Sequence, residues 1–338
     1  MEAIVDAAGT EAVAFGCMDE WALAYADADP DGVRLPYAGI DTIDDVLNKS
    51  RLYATCEALD VPYPETHRLC GGDDPVDEAA LDAAADALGF PLVVKPARKR
   101  EFEEAFGTNV TTVEDREAFE ETVAAADAAN VEVMAQKRVD VATGRDHSLA
   151  SYVPPSGVDD ALAVVGNAAV RYPLQFGTSC LVETTEEPAI SERALAVLDE
   201  AGYHGISEAE FVYDREREEF LLLDVNTRPW KWISLPVVAG ANLPMAAYAA
   251  VTDAEYESTG TEPARWVYLR DYLSLLADGA LADRLEHADW RRLVSGTFEA
   301  GAGSGRRLTT GAYRPSDPAP TAKLLETEFV DREYYCSC

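Results

Sequence analysis

The chain has very little lysine. Six lysines occur among 338 residues, at positions 49, 95, 99, 137, 231 and 323, and all basic side chains number 28 against 62 acids, a net charge of −34. An acid excess of this size repels phosphodiester backbones and anionic lipid headgroups, so neither nucleic acid nor a membrane surface is expected as a partner. The acids are spread along the whole sequence, which reads as a solvated acidic surface suited to high salt. Histidine is also scarce; its four copies are too scattered for a zinc site. The six cysteines form no CxxC, and only Cys336 and Cys338 stand close together, in a terminal CSC read as a reduced tail. The longest apolar run, LPVVAGANLPMAAYAAV, is broken by two prolines and Asn242 and is too short to span a bilayer. Met1 is followed by Glu2 and Asp6, unlike a secretory signal, so the cytoplasm is the expected compartment. Neither a Walker phosphate loop nor a complete GxGxxG occurs, which removes support for the common nucleotide folds.

The length admits two or three domains, and 48% hydrophobic residues imply a packed core. AVAF (12–15) reads as a buried strand followed by the helix MDEWALAYADA. DTIDDVLNKSRLYATCEALD (41–60) reads as one long amphipathic helix, ended by the prolines of VPYPE. Asp74-Pro75 is expected to open a further helix to about Leu88. PLVVKP and VEVMAQKRV read as strands around the helix VEDREAFEETVAAADAAN, an alternation typical of layered α/β structure. From about residue 145 strands dominate (148–153, 161–165, 180–184), then a helix at 188–201. The expected division is 1–66, 67–145 and 146–338.

Two strand-like stretches, GISEAEFVYD (205–214) and EFLLLDVN (219–226), flank a charged turn and read as a hairpin. Centred near Arg217, it sets Glu210 opposite Asp224 and Glu208 opposite Asn226. Alternation gives Glu208 and Glu210 one face, and gives Asp224, Asn226 and Arg228 one face, where the preceding apolar run would place the core. Opposed like charges destabilise a sheet, so a cation is wanted between them. Carboxylate and amide oxygens suit Mg²⁺. A solvated acidic sheet face is the competing reading, and a register slip of one residue would dissolve the metal site. GAGSGRR (301–307) lacks the flanking strand and helix of a phosphate loop and reads as a turn. Trp230 and Trp232 read as core.

Taken in order, NKSRLYATCEALDVPYPET, GFPLVVKP, VMAQKRVD, RYPLQFGTS, GYHGISEAEFVYD and LLLDVNTRPWKWISLPVVAGANLP resemble the ATP-grasp superfamily, within it the carboxylate–amine ligases similar to D-aspartate ligase. The resemblance implies an α/β and α+β architecture: a shortened amino-terminal α/β domain, a small lid and a larger antiparallel-sheet domain. It implies ATP with Mg²⁺ or Mn²⁺ as cofactors, and small-molecule carboxylate and amine substrates; a homodimer is compatible with it. Lys49 and Lys95 match the nucleotide lysines. Gln136, Lys137 and Val139 match the adenine-reading segment, and Asp140 or Asp146 would hold the ribose. Glu210, Asp224 and Asn226 match the metal ligands, Arg228 the arginine near the γ-phosphate, and Arg171 a basic residue near the acceptor. Each lysine could also be an ordinary surface residue, and Arg171 a structural ion-pair partner.

The chain departs from the pattern in several places. Asp224 stands where glutamate is usual. The segment after Lys95 carries Arg98, Lys99 and Arg100 instead of a small, glycine-rich phosphate cover. A lysine found near Thr108–Asn109 in relatives is missing. The amino-terminal domain looks short by a strand and a helix, so the chain is either trimmed or starts upstream of Met1. The implied chemistry is amide formation through an acyl phosphate. A kinase-like phosphotransferase and a non-catalytic nucleotide binder remain alternatives. Arg171 and Arg270 are the candidate clamps for an anionic substrate.

Overall fold

The computed structural model describes residues 5, 9–70, 76–108, 110–174, 177–296 and 305–327. Cys336 and Cys338, the Asp74-Pro75 pair, Asn109 and residues 301–304 of the GAGSGRR stretch lie outside the described residues.

Strand β1 (Ala12–Val13), helix α1 (Asp19–Ala28) and strand β2 (Val33–Arg34) form a small unit with a two-stranded parallel sheet. The long helix expected over 41–60 is in fact two, α2 (Ile40–Leu47) and α3 (Lys49–Ala58). Asn48 makes the break. Its backbone is extended, and its side-chain oxygen accepts the amides of Ser50 at 2.9 Å and Arg51 at 3.3 Å. Asparagine offers the chain this alternative to continuing a helix, and at an N-cap it satisfies amides that have no helical partner. Lys49 therefore starts a new helix, buried, its amide donating to the Ala97 carbonyl at 3.1 Å. Replacing Asn48 by Ala is expected to cost about 1 kcal/mol of stability. A lower urea midpoint at an unchanged slope would report it, and an unchanged midpoint would mean that the cap holds nothing.

A four-stranded antiparallel sheet follows, built from β3 (Thr66–Cys70), β4 (Leu92–Pro96), β5 (Thr111–Val113) and β6 (Val133–Lys137) in the order β3-β6-β4-β5. Its helices are α4 (Glu78–Leu88), α5 (Lys99–Phe106) and α6 (Arg116–Ala128). Helix α4 starts at Glu78, capped by Asp77 through the Ala79 amide, later than the sequence suggests. The segment after Lys95 is mostly helix α5; Phe102 and Val94 share the core of this unit.

The large sheet contains β7 (Val141–Val153), β8 (Leu162–Tyr172), β9 (Thr178–Thr184), β10 (Gly205–Asp214), β11 (Glu219–Asn226), β12 (Ala264–Val267) and β13 (Arg307–Thr310). The order is β11-β10-β7-β8-β9-β12-β13, antiparallel except for the parallel pair β12–β13. Strand β7 starts at Val141, several residues before the strand read from the sequence, because Val141 pairs with Asp214 across a register shift. Helix α7 (Pro188–Glu200) packs Ile190 and Val197 into one core with Tyr53, Phe211, Leu222 and Val225. Helices α8 (Ser234–Ala239) and α9 (Leu243–Ala250) belong to a second core with Trp230 and Trp232, both buried as expected. No helix among the described residues is long and apolar enough to cross a membrane.

Candidate active site

Hairpin β10–β11 has the bounds and register read from the sequence: Glu210 pairs with Asp224 and Glu208 with Asn226. What the sequence does not reveal is a β-bulge. Near the turn the register is Phe211 opposite Leu222; beyond Glu210 it has moved by one residue. Had the turn-side register continued, Glu210 would oppose Leu223. The bulge also reverses the alternation. Phe220, Leu222 and Val225 all lie in the same core, and this is possible only if the face switches between Leu222 and Val225. Asp224 and Asn226 are thereby turned away from the core that Leu222 enters. Polar groups follow an apolar run because the strand changes face there.

Across from this floor stand the two lysines. Lys49 Nζ lies 2.8 Å from Asp224 Oδ2, with only 9% of the lysine side chain exposed. Lys95, the fourth residue of β4, is buried, and its ammonium donates to the Tyr53 hydroxyl at 2.8 Å and to Gln136 Oε1 at 3.5 Å. Burial pulls its pKa down to about 8, a fall partly opposed by the negative fields of Asp224 and Glu210. Gln136 Nε2 in turn donates to Thr66 Oγ1 at 2.8 Å.

Glu208, absent from the sequence-derived ligand set although on the same face, is buried beside Glu210. Its pKa is raised by burial first and by Glu210 second, while Arg228 and Arg171 act in the opposite direction. Arg228 reaches Asp19 of α1 at 3.0 Å and lies 3.5 Å from Asn226 Oδ1. Arg171 pairs with Asp146 at 3.5 Å and donates to the Gly177 carbonyl at 3.0 Å. Burial raises the Asp146 pKa, and Arg171 opposes that.

Other candidates stand apart from this cluster. Lys137 pairs with Glu216 at 3.2 Å and Asp140 with Arg215 at 2.8 Å, both exposed and tied to the β10–β11 turn; Val139 lies in the link between β6 and β7. Arg98 binds Asp44 at 2.8 Å. Arg270 lies 3.7 Å from Asp271, which also takes Lys231 at 2.8 Å. Tyr53 and Asp19 were not predicted. Tyr53 read as one more apolar position on a helix, and Asp19 as one more acid in an acidic chain.

A divalent cation fits the donor chemistry of this floor, with a condition. Among the described residues no group of three or more His, Cys, Asp and Glu is arranged to hold a metal ion by itself. The paired carboxylates are Glu210 and Asp224, and Mg²⁺ characteristically takes one or two protein carboxylates, the rest of its shell coming from water and phosphate oxygens. Asn226 Nδ2 donates to Glu210 Oε1 at 2.8 Å and to Glu208 Oε2 at 3.3 Å. Its oxygen can serve a cation only after the amide turns over.

No protein-family model matches the chain. It is 27% identical over 233 residues to the D-alanine–D-alanine ligase of Polaromonas naphthalenivorans, covering 64% of this chain and 65% of that protein. To the D-alanine–D-alanine ligase of Chromohalobacter salexigens it is 28% identical over 207 residues, 58% of this chain and 60% of the relative. The matched stretches thus span less than two thirds of these relatives. Among solved structures, the Campylobacter jejuni biotin carboxylase complex is similar with a TM-score of 0.59 at 17% identity, over 76% of this chain and 57% of that one. The N5-carboxyaminoimidazole ribonucleotide synthetase of Thermus thermophilus gives 0.52 at 18% identity, over 73% and 62%. The fold is the ATP-grasp fold.

Proposed function

We propose that the protein is an ATP- and Mg²⁺-dependent ligase that joins a carboxylate to an amine through an acyl phosphate. The observation that supports this most is the convergence of Lys49, Lys95 and Arg228 on the face bearing Glu210 and Asp224, in a chain with few basic residues. Positioning and electrostatics supply most of the catalysis of phosphoryl transfer. In this reading Lys95 and Arg228 hold the nucleotide phosphates and spread the charge that develops on them; arginine's fork suits phosphate oxygens. Glu210, Asp224 and, once turned, Asn226 would hold Mg²⁺, which when bound neutralises phosphate charge. Gln136, Lys137, Val139 and Asp140 would line the base and ribose end, and Arg171 the acceptor. The substrate carboxylate attacks the γ-phosphorus and ADP leaves; the amine then attacks the acyl carbon and phosphate leaves. Water would hydrolyse the mixed anhydride, so the small sheet with residues 67–145 is proposed to close as a lid over the floor at 146–338.

The curated relatives that match are named for D-alanine; the resemblance to D-aspartate ligase is the finer proposal, favoured by the basic side chain of Arg171, whose field reaches Glu208. The test is incubation with ATP, Mg²⁺ and a panel of carboxylates in molar KCl, D-alanine and D-aspartate included, with and without hydroxylamine. A hydroxamate formed with one carboxylate is the expected result and names it. ADP formed on a substrate without hydroxamate would replace the ligase with a kinase, and ATP binding without any ADP would leave a nucleotide binder.

A further inference from the structure

We infer that Tyr53 is a positioning residue for the nucleotide phosphates, its hydroxyl tying Lys95 on the small sheet to the β-bulge in the floor. The inference rests on the ligase site proposed above and assigns a role to a residue outside its ligand set. Tyr53 sits on α3, 4% exposed, its ring stacked on Tyr63 at a centroid distance of 4.9 Å and an interplanar angle of 15°. A phenol has one proton to give and two lone pairs to offer. Here all three are used. The proton goes to the Leu223 carbonyl at 2.9 Å, and the lone pairs take Lys95 Nζ at 2.8 Å and Gln136 Nε2 at 3.3 Å.

The identity of the acceptor matters. Leu223 is the extra residue at the register shift, with no partner across the hairpin, and β11 is the edge strand of the large sheet. Its carbonyl belongs to the bulge on the strand that carries Asp224. An ammonium only donates, so the hydroxyl accepts from Lys95 and keeps its own proton for the Leu223 carbonyl, and the lysine is held relative to the residue preceding Asp224. A phosphate group between Lys95 and the carboxylate face would be gripped from two separate sheets whose spacing is set by one oxygen atom. Lys95 also lies 5.4 Å from the centre of the Tyr53 ring, so the side chain contacts both the polar tip and the body of the tyrosine.

The experiment is a double-mutant cycle on MgADP affinity, read by calorimetry, with wild type, Tyr53→Phe, Lys95→Met and the double variant. Phenylalanine keeps the ring, its stack on Tyr63 and its place in the core; an unchanged near-ultraviolet dichroism spectrum verifies the fold. Tyr53→Phe is expected to weaken MgADP binding about 10- to 100-fold, and Lys95→Met by at least as much. The double variant is expected to be no weaker than Lys95→Met alone, since a residue that acts through Lys95 has nothing left to position. Losses that multiply in the double variant, or a Tyr53→Phe chain that binds like wild type, would overturn the role. A purely structural tyrosine would give the multiplicative result. A wild-type chain that binds no MgADP would overturn the site itself and the Tyr53 role with it, so the two failures are told apart by the first titration.

Discussion

Asp224→Asn is expected to lower ADP formation about a thousandfold. The substitution removes one of two facing charges that would hold the metal and leaves a neutral amide that binds a hard cation weakly. It also removes the partner of Lys49, 2.8 Å away. Breaking a fully buried ion pair from one side costs about 3–5 kcal/mol. Asp224 keeps 24% of its side chain exposed, so the expected destabilisation is smaller, about 1–2 kcal/mol. The chain therefore stays folded while turnover is lost. Activity and a urea titration on the same preparation separate the two effects. Near-normal ADP formation in the folded variant would remove Asp224 from the metal site.

The second large effect is on pH. The Lys95 ammonium titrates near 8, well below its ordinary value, because burial disfavours the charged form. In the unfolded chain the same amine keeps its proton until about 10.4. Folding below pH 8 thus carries a charged lysine into the interior at a cost of about 3 kcal/mol. Between pH 8 and about 10.4 the unfolded state binds more protons than the folded one, so this group's contribution to stability rises with pH across that window. Nucleotide affinity runs the other way. In the proposed site, below pH 8 the lysine arrives charged and the phosphates would be met by an ammonium; above it, MgADP affinity is expected to fall by up to about tenfold per pH unit as the proton must be taken up on binding. Calorimetry at pH 7, 8 and 9 reads the step directly. In Lys95→Met the step is expected to vanish; if it persisted unchanged, Lys95 would not be its source.

The sequence made some of this visible and hid the rest for physical reasons. Hairpin β10–β11 was legible in its bounds and in the Glu210–Asp224 and Glu208–Asn226 pairings, though not in the register next to the turn, because its turn is charged and its strands are rich in residues favoured in sheets. The bulge was not, since Leu221, Leu222 and Leu223 are interchangeable by polarity and any one could be the extra residue. The break at Asn48 was hidden because Ile43 and Val46 before it, and Leu52 and Tyr53 after it, are all buried; the apolar spacing runs across the gap, and only the side-chain cap ends one helix and starts another. Lys49 and Lys95 stood out for their rarity. Their partner Tyr53 did not, because a tyrosine on the apolar side of a helix is ordinary until its hydroxyl is located. Arg228 was legible from its strand, whereas Asp19, its partner, comes from a helix more than 200 positions earlier that no local pattern connects to it.

Strand β11 borders the large sheet, and its outer side meets the link between α3 and β3: the Leu222 amide donates to the Pro62 carbonyl at 2.8 Å, and Tyr53 covers the next carbonyl. A border strand with free amides and carbonyls is a template on which another chain can lay a strand. The short link through Val61 and Pro62 therefore acts as a selvedge. Proline, having no amide of its own, accepts from the strand without offering a donor to a further one. The peptide that leads the chain from α3 into the small sheet is also what keeps the hairpin that carries Glu210 and Asp224 from being extended by a neighbour.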